Sequence, residues 1–246
     1  MGREVCKAIV AEADLDLVCA VDPAWVGQRL DILVPGLETD LSVVGEIESL
    51  VESQAEVMVD FSIAPAARGN VPYALEHKIH CVVGTTGFAA GELADFDRIA
   101  ANSGVGCLVA PNFAIGAVLM MDFARRAGRY MQDCEIVELH HSAKIDAPSG
   151  TARETARLIG EARSSTSPQE KEEGSRGLDL GGIRIHSVRL PGLVAHQEVI
   201  FGGPGQTLTI RHDSFDRSSF MPGVIMAVRK IADLRGLILG LGSLLQ

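Results

Sequence analysis

Three short apolar runs, residues 56–61, 79–83 and 105–109, each give way to a turn rich in glycine, proline, serine or asparagine and then to a stretch of helical spacing. Strand, turn and helix repeated in this way leave few solutions. Successive strands joined through helices lie parallel in one sheet, and ligands gather outside the carboxyl ends of those strands. The turns are therefore where chemistry is expected, above all Gly84-Thr85-Thr86-Gly87 after the second run and Ala110-Pro111-Asn112-Phe113 after the third. Glycines there allow close backbone approach and threonines offer hydroxyls, although each turn also reads as ordinary punctuation, a capping Asn112 and a core Phe113. Upstream, Val5, Ala8 and Ile9 form a narrow helical stripe, and residues 15–21 read as a buried strand ending at Asp22. An acidic residue at that place in a dinucleotide-binding unit accepts hydrogen bonds from ribose hydroxyls; a simple turn-forming aspartate is the other reading.

Beyond residue 113 the pattern changes. A Met-bearing helix from Ile115 to about Tyr130 is followed by an alternating strand, 134–141, and later by three strand-like runs, 183–189, 195–201 and 207–212, separated by Pro-Gly and Gly-rich turns. These four strands predict an open mixed sheet. Residues 163–180, with Ser164-Ser-Thr-Ser-Pro168 and mixed charges, read as an exposed, mobile excursion. A last helix carries Met221, Val224, Ile225, Val228 and Ile231 at helical spacing. The fold class is thus α/β: a Rossmann-like parallel domain, 1–113 with 217–246, and an α+β domain, 114–216, with a four-stranded sheet.

The richest chemistry lies in ELHHSAKIDAPSGT, residues 138–151. The strand delivers His140 and His141 to opposite faces unless it ends between them, so one of the two reaches a ligand in either case. Lys144 adds a mobile positive charge. Ser149, Gly150 and Thr151 then open a helix whose inner face is Ala152, Thr155, Ala156 and Ile159, and the free N–H groups at such a start make an anion site. An imidazole, an ammonium and a helix N-terminus together suit a small acidic substrate.

This stretch closely resembles the signature of the 4-hydroxy-tetrahydrodipicolinate reductase (dihydrodipicolinate reductase) family, E-x-H-H-x-x-K-x-D-A-P-S-G-T, with every fixed position present. The resemblance implies a nicotinamide-dependent oxidoreductase of the diaminopimelate route to lysine. It implies His140 and Lys144 as catalytic residues, His141, Ser149, Gly150 and Thr151 as substrate-binding, and Asp22, Gly84, Thr85, Thr86, Ala110, Pro111, Asn112, Phe113 and Arg217 around the cofactor. Asp60-Phe-Ser62 is similar to a further cofactor-adjacent run. Pro23 follows Asp22 where NADPH-using members carry an adjacent arginine, so NADH is the expected cofactor, with NADPH admitted only by a cation from elsewhere in the fold. The family also implies a homotetramer formed through the mixed sheet. A ligand-binding, non-catalytic relative with impaired cofactor binding is the alternative function.

The family pattern begins with a strand and G-x-x-G-R-M-G, of which this chain opens on the final Met1-Gly2. The expectation is a natural start roughly a dozen residues upstream, since a pyrophosphate needs bare N–H groups at the first helix. The net charge of −10 argues against nucleic acid as a partner. Five cysteines without C-x-x-C spacing read as buried thiols in a reducing compartment, and no metal is expected. No apolar run is long enough to span a bilayer and no secretory leader opens the chain, so a cytoplasmic protein without a membrane partner is expected.

Overall fold

A computed structural model of the chain describes residues 1–163, 170–172 and 174–245. The backbone falls into two compact units, Met1–Phe113 with Phe220–Gln246, and Ala114–Ser219.

The first unit opens with α1 (Gly2–Val10), whose Val5 and Ile9 are buried, and two one-turn helices, α2 (Leu30–Leu33) and α3 (Ser49–Glu52). Then come β1 (Val57–Asp60), α4 (Ala64–Glu76), β2 (His80–Val83), α5 (Ala90–Ser103) and β3 (Gly106–Val109). Every residue of β3 is buried, as expected of a strand covered on both faces. The start of α5 is set by Glu92, whose carboxylate accepts the Ala89 N–H at 2.7 Å, and its end by Gly104 in the left-handed conformation.

The second unit holds α6 (Ile115–Ala127), β4 (Asp133–His140), α7 (Gly150–Ala162), β5 (Glu170–Glu172), β6 (Leu178–Leu180), β7 (Ile183–Arg189), β8 (Ala195–Gly203) and β9 (Gln206–Ser214). Its sheet runs β5-β6-β7-β4-β8-β9, with β4 parallel to β7 and antiparallel to β8. The core beneath α6 and α7 contains Ile136, Ile159, Ile183, Ile185, Val199 and Phe201. Each such side chain, taken fully out of water, contributes about 1.5–3 kcal/mol. The chain then returns to the first unit as α8 (Met221–Ile231) and β10 (Gly236–Leu239). The parallel sheet is ordered β1-β2-β3-β10.

Three expectations need correction. The mixed sheet has six strands among the described residues, because Leu178 and Leu180 pair with Ile185 and Ile183 across Gly181-Gly182, and β5 pairs with β6. A hairpin thus occupies ground read from composition as a polar excursion; residues 164–169 lie outside the described residues. Residues 15–20 carry no strand ladder, and only Val21 bridges to Val44. Apolar alternation there is not matched by a neighbouring strand, and a ladder requires one. The segment 236–239, given no element from its pattern, is a strand beside β3. Its four residues are too few for period to distinguish strand from turn.

Candidate active site

Along β4 burial alternates, so Ile136, Glu138 and His140 share one face while Val137 and Leu139 take the other. Ile136 packs with Ala152, Ala156 and Ile159 of α7. Glu138 is the exception on this inward face, a carboxylate with no exposed surface. Five donors converge on it, one of them the Ser187 hydroxyl. Oε1 accepts from Arg189 Nη2 at 2.7 Å and from the Ser149 backbone N–H at 3.2 Å; Oε2 accepts from Arg189 Nη1 at 2.9 Å and from His140 Nδ1. Burial pushes the Glu138 carboxyl up, but the bonds from His140, Arg189 and Ser187 outweigh it and hold it down to about 2. The group is therefore an anion, an acceptor only, and His140 must carry its proton on Nδ1 to meet it.

The strand ends at His140, whose carbonyl accepts the Leu190 N–H. His141 stands exposed at the start of the following turn, closed by the Lys144 N–H on the His141 carbonyl at 3.1 Å. Lys144 Nζ pairs with Asp146 Oδ1 at 2.8 Å, and this contact draws the Asp146 carboxyl below its ordinary range. Arg189 Nη2 also donates to the Asp146 carbonyl at 2.8 Å, so one guanidinium holds both the buried carboxylate and the loop carrying Lys144. Ser149, itself buried, caps α7 by accepting the Ala152 N–H at 3.2 Å. Gly150 at the helix start faces open space, and Thr151 follows in the first turn.

His140, Lys144 and Ser149 are thus brought together through Glu138, Arg189 and Asp146, while His141 sits apart on the exposed side of the turn. Glu138 and Arg189 were missed as functional residues. The signal for Glu138 was present, an acidic residue at an inward position of an otherwise apolar alternation. Arg189 had none beyond ending a strand.

In the first unit the strand ends hold a second cluster. Asp60, buried at the end of β1, accepts from Thr85 Oγ1 at 2.7 Å, from the Ser62 N–H at 2.9 Å and hydroxyl at 2.8 Å, and from Asn70 Nδ2 at 3.0 Å. The Thr85 hydroxyl is therefore engaged inward, whereas Thr86 is exposed. Gly84 makes room for Phe61, since a Cβ there would lie 2.0 Å from its ring. Phe61 meets the buried Phe113 at 5.4 Å between ring centres, and Gly223 of α8 lets Phe113 approach, a Cβ falling 2.0 Å from its carbonyl oxygen. The Ala110 N–H bonds the Val83 carbonyl, Pro111 is exposed and Asn112 half-buried. Asp22 is exposed, with Oδ1 accepting the Ala24 N–H at 2.9 Å. Three residues further on, Trp25 lies under the Arg3 guanidinium at 5.4 Å, which places a cation by the Asp22 turn. Arg217 is exposed in a 3-10 turn, Arg217–Phe220, preceding α8.

Among the described residues no group of three His, Cys, Asp or Glu side chains is arranged to hold a metal, and no helix is long and apolar enough to cross a membrane. The five cysteines are unpaired, with the Cys107 and Cys134 thiols pushed up to about 12 by burial.

Residues 1–113 match the family model described as dihydrodipicolinate reductase, N-terminus, and residues 116–245 that described as dihydrodipicolinate reductase, C-terminus. A 4-hydroxy-tetrahydrodipicolinate reductase of Syntrophomonas wolfei is 47% identical over 251 residues, covering 100% of this chain and 94% of the relative. One from Listeria monocytogenes is 48% identical over 252 residues, covering 100% and 96%. Among solved structures, the dipicolinate-bound dihydrodipicolinate reductase of Paenisporosarcina sp. TG-14 matches with a TM-score of 0.86 and 41% identity, over 98% of this chain and 94% of that one. With one family model on each part of the chain and relatives of this identity along all of it, the chain belongs to the dihydrodipicolinate reductase family.

Proposed function

We infer that this chain is a nicotinamide-dependent oxidoreductase that reduces 4-hydroxy-tetrahydrodipicolinate to tetrahydrodipicolinate in the diaminopimelate route to lysine. The observation that carries the reading is the convergence of an imidazole and a capped helix N-terminus on one buried carboxylate, with the Lys144 ammonium on the adjoining loop tied to the same Arg189, in a chain whose full-length relatives are named for this activity. Those relatives lend the non-catalytic alternative no support.

The substrate loses its 4-hydroxyl and a neighbouring ring proton as water, and a bound nicotinamide would then supply hydride to C4; the rest falls to the protein. His140 is the proton donor or acceptor of the site, and Lys144 is the general acid that protonates the system left after reduction. Lys144 is held by Asp146 at 2.8 Å, so a substrate carboxylate would replace one anionic partner by another before the ammonium gives up its proton. His141 holds a carboxylate edge. Ser149 fixes the start of α7, where Gly150 and Thr151 present N–H groups to the second carboxylate. The ligand in the solved Paenisporosarcina relative, dipicolinate, is a dicarboxylate of the kind this cradle would accept.

The first unit serves as the dinucleotide-binding domain and the second as the substrate-binding and oligomerisation domain, through which a homotetramer forms. Fit to a nicotinamide cofactor is supported by a parallel sheet whose carboxyl ends bear Gly84, Thr85, Thr86 and Ala110 to Phe113. Asp22 has its Oδ2 on an exposed turn, where ribose hydroxyls would be received, and Arg217 is a further cofactor contact. The Asp22 carboxylate disfavours a 2′-phosphate, which supports NADH as the preferred cofactor, while Arg3 over Trp25 is the cation through which NADPH would be tolerated. The site needs no metal, and the reaction suits a cytoplasmic enzyme.

The test is consumption of NADH by the purified protein on addition of freshly generated 4-hydroxy-tetrahydrodipicolinate. Turnover inhibited by dipicolinate is expected. Failure to oxidise either NADH or NADPH with this substrate overturns the reading. Fluorescence titration with the two cofactors separates the preference, with tighter NADH binding expected.

A further inference from the structure

Glu138 touches no substrate in the chemistry above, yet it is the most costly residue in the site to bury. We propose that Glu138 is the positioning residue of the centre: its carboxylate fixes His140 in the tautomer with Nδ1 protonated and Nε2 aimed at the substrate, and it seats that imidazole on the same rigid group as the dicarboxylate cradle. The proposal rests on the reductase reading for the role of His140.

Three observations lead there. Stability alone does not account for a carboxylate at this position, because exchanging a buried ion pair for well-packed apolar side chains is often neutral or favourable. Ile136 shows what the same strand face otherwise accepts. Next, the carboxylate is an acceptor only, so the bond from His140 Nδ1 selects one tautomer and leaves Nε2 as the atom available for proton exchange. Finally, two of the remaining partners of Glu138, Ser149 and Arg189, lead to substrate-seating groups, while the third is the Ser187 hydroxyl on the neighbouring strand. Ser149 N–H binds it directly at 3.2 Å and opens α7; Arg189 binds it with two arms, and through the Asp146 carbonyl holds the loop of Lys144. The charge of Arg189 balances that of Glu138 through two hydrogen bonds.

Glu138→Gln keeps the shape but presents an amide N–H that donates to Nδ1, which reverses the tautomer. The expected result is a fall in kcat of about 100-fold or more, on the scale of a misplaced general acid or base, with the dissociation constant for NADH unchanged. Nitrogen-15 NMR of His140 is expected to show the Nδ1–H form in the unaltered protein and the Nε2–H form in the variant. Because E138Q leaves Arg189 without its counter-charge, the double variant Glu138→Gln/Arg189→Met is made in parallel, with the same loss expected in a protein whose Tm matches the parent. A kcat within about threefold of the parent in either folded variant overturns the proposal. So does an Nε2–H signal in the unaltered protein, a measurement that needs no variant to fold. Absence of turnover by the unaltered protein would instead sink the reductase reading and leave the tautomer measurement standing.

Discussion

Glu138 and Arg189 meet through two parallel hydrogen bonds, 2.7 and 2.9 Å, between a carboxylate with no exposed surface and a guanidinium 18% exposed. The two residues are far apart in sequence and are brought together by the parallel pairing of β4 with β7. Planar, two-armed geometry of this kind is specific to arginine, since a lysine offers one point charge.

Arg189→Met strands a buried anion and is expected to cost about 3–5 kcal/mol, measured by urea unfolding. Glu138→Gln/Arg189→Met removes both charges and is expected to recover most of that loss. Equal stability of the single variant and the parent would remove the ion pair from the account of this site.

The same pair predicts how stability depends on pH. The folded carboxyl of Glu138, at about 2, lies below its ordinary 4.5, so it contributes stability that is complete above the unfolded value and is lost as pH falls through the folded one. A difference of that size corresponds to about 3 kcal/mol. Unfolding free energies taken from about pH 6 down to pH 2 should converge for the parent and E138Q. Parallel curves would contradict this.

Lys144→Ala is expected to depress turnover by orders of magnitude while NADH binding is retained, as general acid catalysis contributes about 10²–10⁴-fold. It should also release the Asp146 carboxyl toward its ordinary range, because the Lys144 contact is the largest cause of its lowering. Loss of NADH binding instead, seen by fluorescence titration, would overturn the assignment.

Ser149→Ala removes the cap of α7 and is expected to cost about 1 kcal/mol of stability and to weaken dipicolinate binding, measured by calorimetry. The Ser149 N–H to Glu138 survives this change, so kcat should fall less than in E138Q. A larger kcat loss in S149A would mean that the hydroxyl itself takes part in the reaction.

Gly84→Ala places a methyl group on the Phe61 ring and is expected to destabilise by about 1–3 kcal/mol, the usual cost of overpacking, read as a lowered Tm. Phe61→Ala in the same chain should relieve the clash.

The features of the site that depend on neighbours in sequence were legible in advance. The inner face of α7, Ala152, Thr155, Ala156 and Ile159, is buried as its spacing predicts, and Ser149 caps the helix. So are Met221, Val224, Ile225, Val228 and Ile231 of α8. What escaped depends on pairing between distant segments. Leu178-Asp-Leu180 becomes a strand only by lying along β7, and Thr85 turns its hydroxyl inward only because Asp60 waits there. No period in the sequence reports that Arg189 would reach Glu138, because the choice of partner strand is made by the sheet and not by either strand alone.

The last rung of the β4–β7 ladder sets His140 opposite Arg189. A slip of one residue would bring Val188 or Leu190 to that rung and turn the guanidinium to the other face of the sheet. Strand alignment and charge pairing are thereby one event: a misaligned chain keeps its hydrogen-bond ladder but has no counter-ion for Glu138, and so it penalises itself. The His140–Glu138–Arg189 cluster doubles as a registration mark for the sheet that carries it.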